Sequence, residues 1–103
     1  MIRLKSNTVN LDKVCPKVYE AIAKTHEIYI NAGAKDMVLT SVRDSKHGKG
    51  SLHYVGCAFD VRVWNLPKGI DYLEITKQIA EVLGKDYDVV FEVNHIHIEY
   101  DPK

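Results

Sequence analysis

Hydrophobic and polar positions change their period several times along this chain, and each change predicts an element. Between residues 11 and 32, Val18, Ile22, Thr25/His26 and Tyr29 recur at helical spacing. Pro16 suits the first turn of that helix, where its missing N–H costs nothing, and Gly33 suits a C-terminal cap. Met37 to Val42 is rich in β-formers and predicts a strand. Residues 43 to 52 (Arg-Asp-Ser-Lys-His-Gly-Lys-Gly-Ser-Leu) are polar and Gly-punctuated. They predict a loop long enough to be functional. From Cys57 to Val63 the pattern alternates: Cys57, Phe59, Val61 and Val63 face one way, Ala58, Asp60 and Arg62 the other. Trp64 to Gly69 reads as a turn region. Asp71 can cap a second helix that runs to about Leu83 and ends at Gly84, with Ile75, Ile79, Val82 and Leu83 as its apolar face. Tyr87 to Glu92 and His95 to Tyr100 predict a hairpin with Val93-Asn94 at its turn. In the last strand Ile96, Ile98 and Tyr100 face the core, so His95, His97 and Glu99 share the opposite face. The expectation is one α+β domain over residues 1–103, a small, mainly antiparallel sheet with two main helices on one side.

Composition narrows the choice of partners. The chain has 103 residues, 46% of them hydrophobic, enough for a modest core. Fourteen basic and fourteen acidic residues cancel. Phosphate binding normally leaves a basic excess, so nucleic acid is not the expected partner, nor is an anionic membrane. No apolar run approaches the roughly 18 residues of a span. The start, Met1-Ile-Arg-Leu-Lys5, is too short and polar for a signal peptide, so the expectation is synthesis in a cytoplasm and a monomer. Cys15 and Cys57 form no Cys-x-x-Cys pair, which excludes a zinc ribbon; they read as small buried residues, with a disulfide left open.

Candidate chemistry lies in two short stretches. Ser51-Leu-His53-Tyr-Val-Gly56-Cys-Ala58-Phe-Asp60 offers an imidazole and a carboxylate, and His95-Ile-His97 offers two more imidazoles on one strand face. Three protein ligands leave a coordination position open for water, as a catalytic zinc site requires. Glu92 lies at the turn end of the hairpin, close in sequence to the His pair, and can serve as a general base. No His-Glu-x-x-His helix is present.

The segment from Thr40 to Asp60, with Glu92 to His97, resembles the zinc D-alanyl-D-alanine carboxypeptidases. Similar groups are the vancomycin-resistance D,D-dipeptidases, the phage endolysins that cut the L-alanyl-D-glutamate bond, and the wider lysostaphin-type and hedgehog zinc core. The Ser-x-His-x-x-Gly-x-Ala-x-Asp motif carries the resemblance, which covers the C-terminal two-thirds of the chain. It implies His53 and Asp60 as zinc ligands. In the carboxypeptidase branch the third ligand is the second His of the pair, His97, with His95 lining the active site. In the dipeptidase branch Glu92-Val-Asn-His95 supplies base and ligand, so His95 becomes the third. The intact His-x-His pair favours His97, and Glu92 is the base either way. Arg43 stands where similar enzymes hold an arginine that binds substrate, and Ser51 adds a hydroxyl; both also suit ordinary loop roles.

The resemblance implies a zinc metallopeptidase, a hydrolase of peptidoglycan stem peptides. It acts either as a carboxypeptidase or as an endopeptidase, in the manner of a phage or prophage endolysin that degrades the cell wall. The alternative is a non-catalytic zinc module that binds a peptide or protein, and a third is a metal-free structural domain. Glu99 either orients a ligand histidine or is merely exposed, His26 and His47 read as ordinary surface or boundary residues, and Tyr54 and Trp64 read as core aromatics before cleft residues.

Overall fold

The computed structural model describes residues 2–5, 16–46 and 55–101, leaving out the side chains of 43–46 and 55–57. Its elements are β1 (Ile2–Leu4), α1 (Pro16–Asn31), β2 (Met37–Lys46), β3 (Val55–Arg62), α2 (Tyr72–Leu83), β4 (Tyr87–Glu92) and β5 (His95–Tyr100). The five strands form one sheet in the order β1-β2-β3-β5-β4. β2–β3, β3–β5 and β5–β4 pair antiparallel, whereas β1 pairs parallel with β2. The sheet is therefore mixed, which corrects the mainly antiparallel one expected. The reason is β1: three residues are too few for a readable period, and the strand draws its order from its neighbour. Lys5 N–H donates to Leu39 O at 2.8 Å, and Arg3 Nε pairs with Asp36 at 3.2 Å.

One face of the sheet is the core face. Leu39, Phe59, Val61, Ile96 and Ile98 are buried there beneath Val18, Ile22 and Tyr29 of α1 and Ile75 and Ile79 of α2. The alternation read from β3 and β5 produces this face directly. Tyr29 ties it to the strand ends, because its hydroxyl donates to Arg62 O at 3.0 Å. α1 closes at Gly33, whose φ of 104° is readily adopted only by glycine, and Ala34 N–H returns to Tyr29 O at 3.0 Å. Asp71 caps α2 by accepting from Leu73 N–H at 2.9 Å.

Two further expectations change. Val82 is half exposed, because the apolar stripe of α2 is centred on Ile75 and Ile79. The polar run after Val42 begins as strand, since cross-strand bonds to β3 continue through Lys46↔Val55 and override the loop-like composition. Among the described residues no helix is long and apolar enough to cross a membrane.

Candidate metal centre

The face opposite the helices carries the chemistry. In β3 and β5, Asp60 is directly across from His97, Ala58 from Glu99 and Arg62 from His95. β4 adds Glu92 across from His95 and Val90 across from His97. Residues distant in sequence become neighbours because the sheet is antiparallel here and each strand has period two.

Asp60 is the only acidic residue buried among those described, 6% exposed. His97 holds it in place, Nδ1 lying 2.7 Å from Asp60 Oδ1 while Nε2 lies 3.1 Å from Glu99 Oε1. Both oxygens accept, so between these partners the protonated ring donates from both nitrogens. Desolvation opposes the charge, but the hydrogen bonds and charges of Glu99 and Asp60 outweigh it and hold the His97 pKa above its ordinary value. Glu99 thus contacts a candidate ligand histidine and is not simply an exposed acid.

A second cluster is at the turn. His95 Nδ1 lies 2.9 Å from Asn94 Oδ1, and Nε2 lies 3.6 Å from Glu92 Oε1, beyond hydrogen-bond distance. The carboxylate of Glu92 is half exposed. Val93, which links the clusters' strands, has φ +43°, a strained conformation for a β-branched residue.

Beside Asp60 opens a cleft of about 270 Å³, lined by Lys5, Thr40, Ser41, Arg62, Trp64 and Asn94 together with Asp60 and His95. Thr40 and Ser41 both reach it because β2 bulges between Leu39 and Ser41, opposite Val61 and Asp60. A bulge breaks strict alternation and re-aims side chains. Trp64, expected as a core aromatic, is 66% exposed and lies under the Arg62 guanidinium at 5.1 Å. Arg62 shares the Asp60 face by simple alternation, so its place was readable. Lys5, Thr40 and Trp64 depend on β1, the bulge and the turn, which leave no periodic signal.

Of the expected site residues, Asp60, Glu92, His95 and His97 share this face of the sheet. The backbone of Arg43 pairs with Ala58 two rungs from Asp60, with its side chain outside the description. His53, Ser51, His47, Tyr54 and Cys15, and the side chain of Cys57, lie outside the described residues. His26 is on α1 with Nε2 buried and without a hydrogen-bond partner among those residues. Among the described residues no group of three His, Cys, Asp or Glu could hold a metal ion. Asp60 and His97 nonetheless fit two positions of a zinc site in their chemistry, one carboxylate oxygen and one imidazole nitrogen in contact. Glu99 on the far ring nitrogen supplies the carboxylate that commonly orients a ligating histidine.

Compared with protein-family models, with curated proteins and with solved structures, the chain matches none.

Proposed function

We propose that the protein is a zinc-dependent metallopeptidase of the D-alanyl-D-alanine carboxypeptidase type, acting on peptidoglycan stem peptides. The observation that carries the reading is the Asp60–His97–Glu99 chain. It is a buried carboxylate against one ring nitrogen and an orienting carboxylate against the other, on an open sheet face. Asp60 and His97, with His53, would hold the ion; the ion supplies a Lewis acid and an acidified water. Glu92 takes the proton of the attacking water and delivers it to the leaving amine. In its protonated form His95, held at Nδ1 by Asn94 Oδ1, donates from Nε2 to the developing oxyanion. The neighbouring cleft receives the substrate. The small hedgehog-like zinc domain and its wall-peptide substrate suit a phage or prophage lysis enzyme.

Mass spectrometry of peptidoglycan fragments incubated with the protein, with and without a zinc chelator, tests the reading. A chelator-sensitive product is expected. Loss of terminal D-alanine marks a carboxypeptidase, and release of the stem peptide after L-alanine marks an endopeptidase. No product from zinc-loaded protein overturns it in favour of a peptide-binding zinc module.

A further inference from the structure

The cleft beside Asp60 contains two cations that the peptidase chemistry does not use. Lys5 enters from the end of β1 and Arg62 from the end of β3. Among the described residues no carboxylate lies within ion-pair distance of either. The one acid that lines the cleft, Asp60, is engaged by His97. Two cations converging on a concave site attract an anion there, and low-dielectric walls strengthen the effect.

Trp64 makes the site more than a charged patch. It is the single tryptophan of the chain, two-thirds exposed, and lines the same cleft. The Arg62 guanidinium lies over its ring at 5.1 Å. A cation–π contact of this kind leaves guanidinium N–H donors that can fork onto a carboxylate. The indole also offers an apolar surface for the carbon next to that carboxylate. At about 270 Å³ the cleft suits one or two residues rather than a long peptide.

We infer that Lys5, Arg62 and Trp64 form a carboxylate-binding subsite that selects peptides bearing a carboxylate on the residue beside the scissile bond. The choice of peptide rests on the zinc-peptidase reading; the subsite itself does not. Two sources supply that chemistry, a free C-terminal carboxylate or the acidic group of an internal glutamate. Lys5, Arg62 and Trp64 are specificity residues here, and the reacting atoms lie with Asp60, His97 and Glu92.

Trp64 is also the reporter. Its fluorescence is titrated in the full-length Glu92→Gln variant, supplied with zinc, with two matched pairs of peptides. One pair is N-acetyl-D-alanyl-D-alanine and its C-terminal amide. The other is N-acetyl-L-alanyl-D-glutamyl-lysine amide and its D-glutaminyl counterpart. In at least one pair the acid is expected to bind about tenfold tighter than the amide, as a charge-assisted contact implies. That ratio is expected to fall to about one in Lys5→Gln and in Arg62→Gln, with amide affinity unchanged. Lys5→Gln leaves the Arg62–Trp64 contact in place, so the signal survives in at least one variant. The pair that discriminates names the source of the carboxylate. Equal binding of acid and amide in both pairs overturns the subsite, as does discrimination that persists in both variants. Wild-type turnover is measured separately. Acid discrimination without hydrolysis overturns the peptidase and keeps the subsite, whereas hydrolysis without discrimination does the reverse.

Discussion

Replacing Asp60 with Asn removes one negative charge and little else. The amide keeps the size of the carboxylate and an oxygen that can accept from His97. What it loses is the charge assistance of a 2.7 Å contact whose partners are 20% and 9% exposed. A hydrogen bond to a charged group contributes about 1.5–3 kcal/mol, a neutral one about 1 kcal/mol. In protein stripped of metal by a chelator, Asp60→Asn is therefore expected to cost about 2 kcal/mol at pH 6, where His97 is charged. For a domain of this size that lowers the urea midpoint by ~1 M.

The pH dependence fixes the mechanism. Because the folded pKa of His97 is raised, its ionic contribution is fully present below the unfolded value of about 6.5. It is lost as the pH rises through the folded value. The gap between wild type and Asp60→Asn should then narrow toward the neutral hydrogen bond. Urea unfolding followed by circular dichroism from pH 5.5 to 9 measures it. A gap that stays constant across that range, or one below about 0.5 kcal/mol at pH 6, would mean that no Asp60–His97 ion pair stabilises the fold. Zinc provides an internal control. A ligand at 100 times its Kd stabilises by about 2.7 kcal/mol, so zinc should raise the wild-type midpoint well above that of Asp60→Asn.

Glu92→Ala is expected to keep bound zinc, measured by elemental analysis, and to lose hydrolysis, whereas His53→Ala and Asp60→Ala lose both; an active Glu92→Ala protein removes Glu92 from the mechanism. Val93→Asn relieves a left-handed β-branched residue and should raise Tm by about 4 °C in calorimetry, since such strain is worth about 1 kcal/mol. Ile98→Ala, at a fully buried position between the helices and the site, should cost about 2–5 kcal/mol in urea unfolding without changing zinc stoichiometry. Burial pushes Tyr29 upward and, with help from Glu20, Tyr100 and Asp86, pushes Tyr87 up to about 12. The folded chain therefore holds protons that the unfolded chain releases near pH 10, and stability should fall as pH rises above about 10, a decline that Tyr87→Phe makes shallower.

What the sequence made legible, and what it did not, follows from the range of each signal. Period two in β3 and β5 was readable because every second residue packs into the core beneath the helices. Phe59, Val61, Ile96 and Ile98 had to be apolar, which left Asp60, His95 and His97 as a polar row on the other face. The two helices were readable from their caps, Pro16, Gly33, Asp71 and Gly84, as well as their stripes. β1 was not, since Ile2 and Leu4 remain partly exposed and a three-residue parallel edge strand has no turn or period of its own. The continuation of β2 was hidden by composition: Arg43 to Lys46 are polar, and only pairing with β3 makes them strand.

The site shows the same division. Asp60, Glu92, His95 and His97 lie on regular strands and could be read by counting residues, whereas the cleft beside them draws on irregularities. Thr40 reaches it through a bulge, Trp64 through a turn, and Lys5 through a strand that only tertiary pairing reveals. Regular strands hold reacting groups at fixed spacing, because the pleat sets their separation. Irregular segments vary the walls around them without disturbing that spacing. On the proposed reading the chemistry is thus a property of β3, β4 and β5, and the choice of substrate a property of β1, the bulge, the turn and the end of β3. Substitutions at Lys5 or Trp64 should therefore change which peptide is bound while zinc content stays constant, and those at Asp60 or His97 should do the opposite.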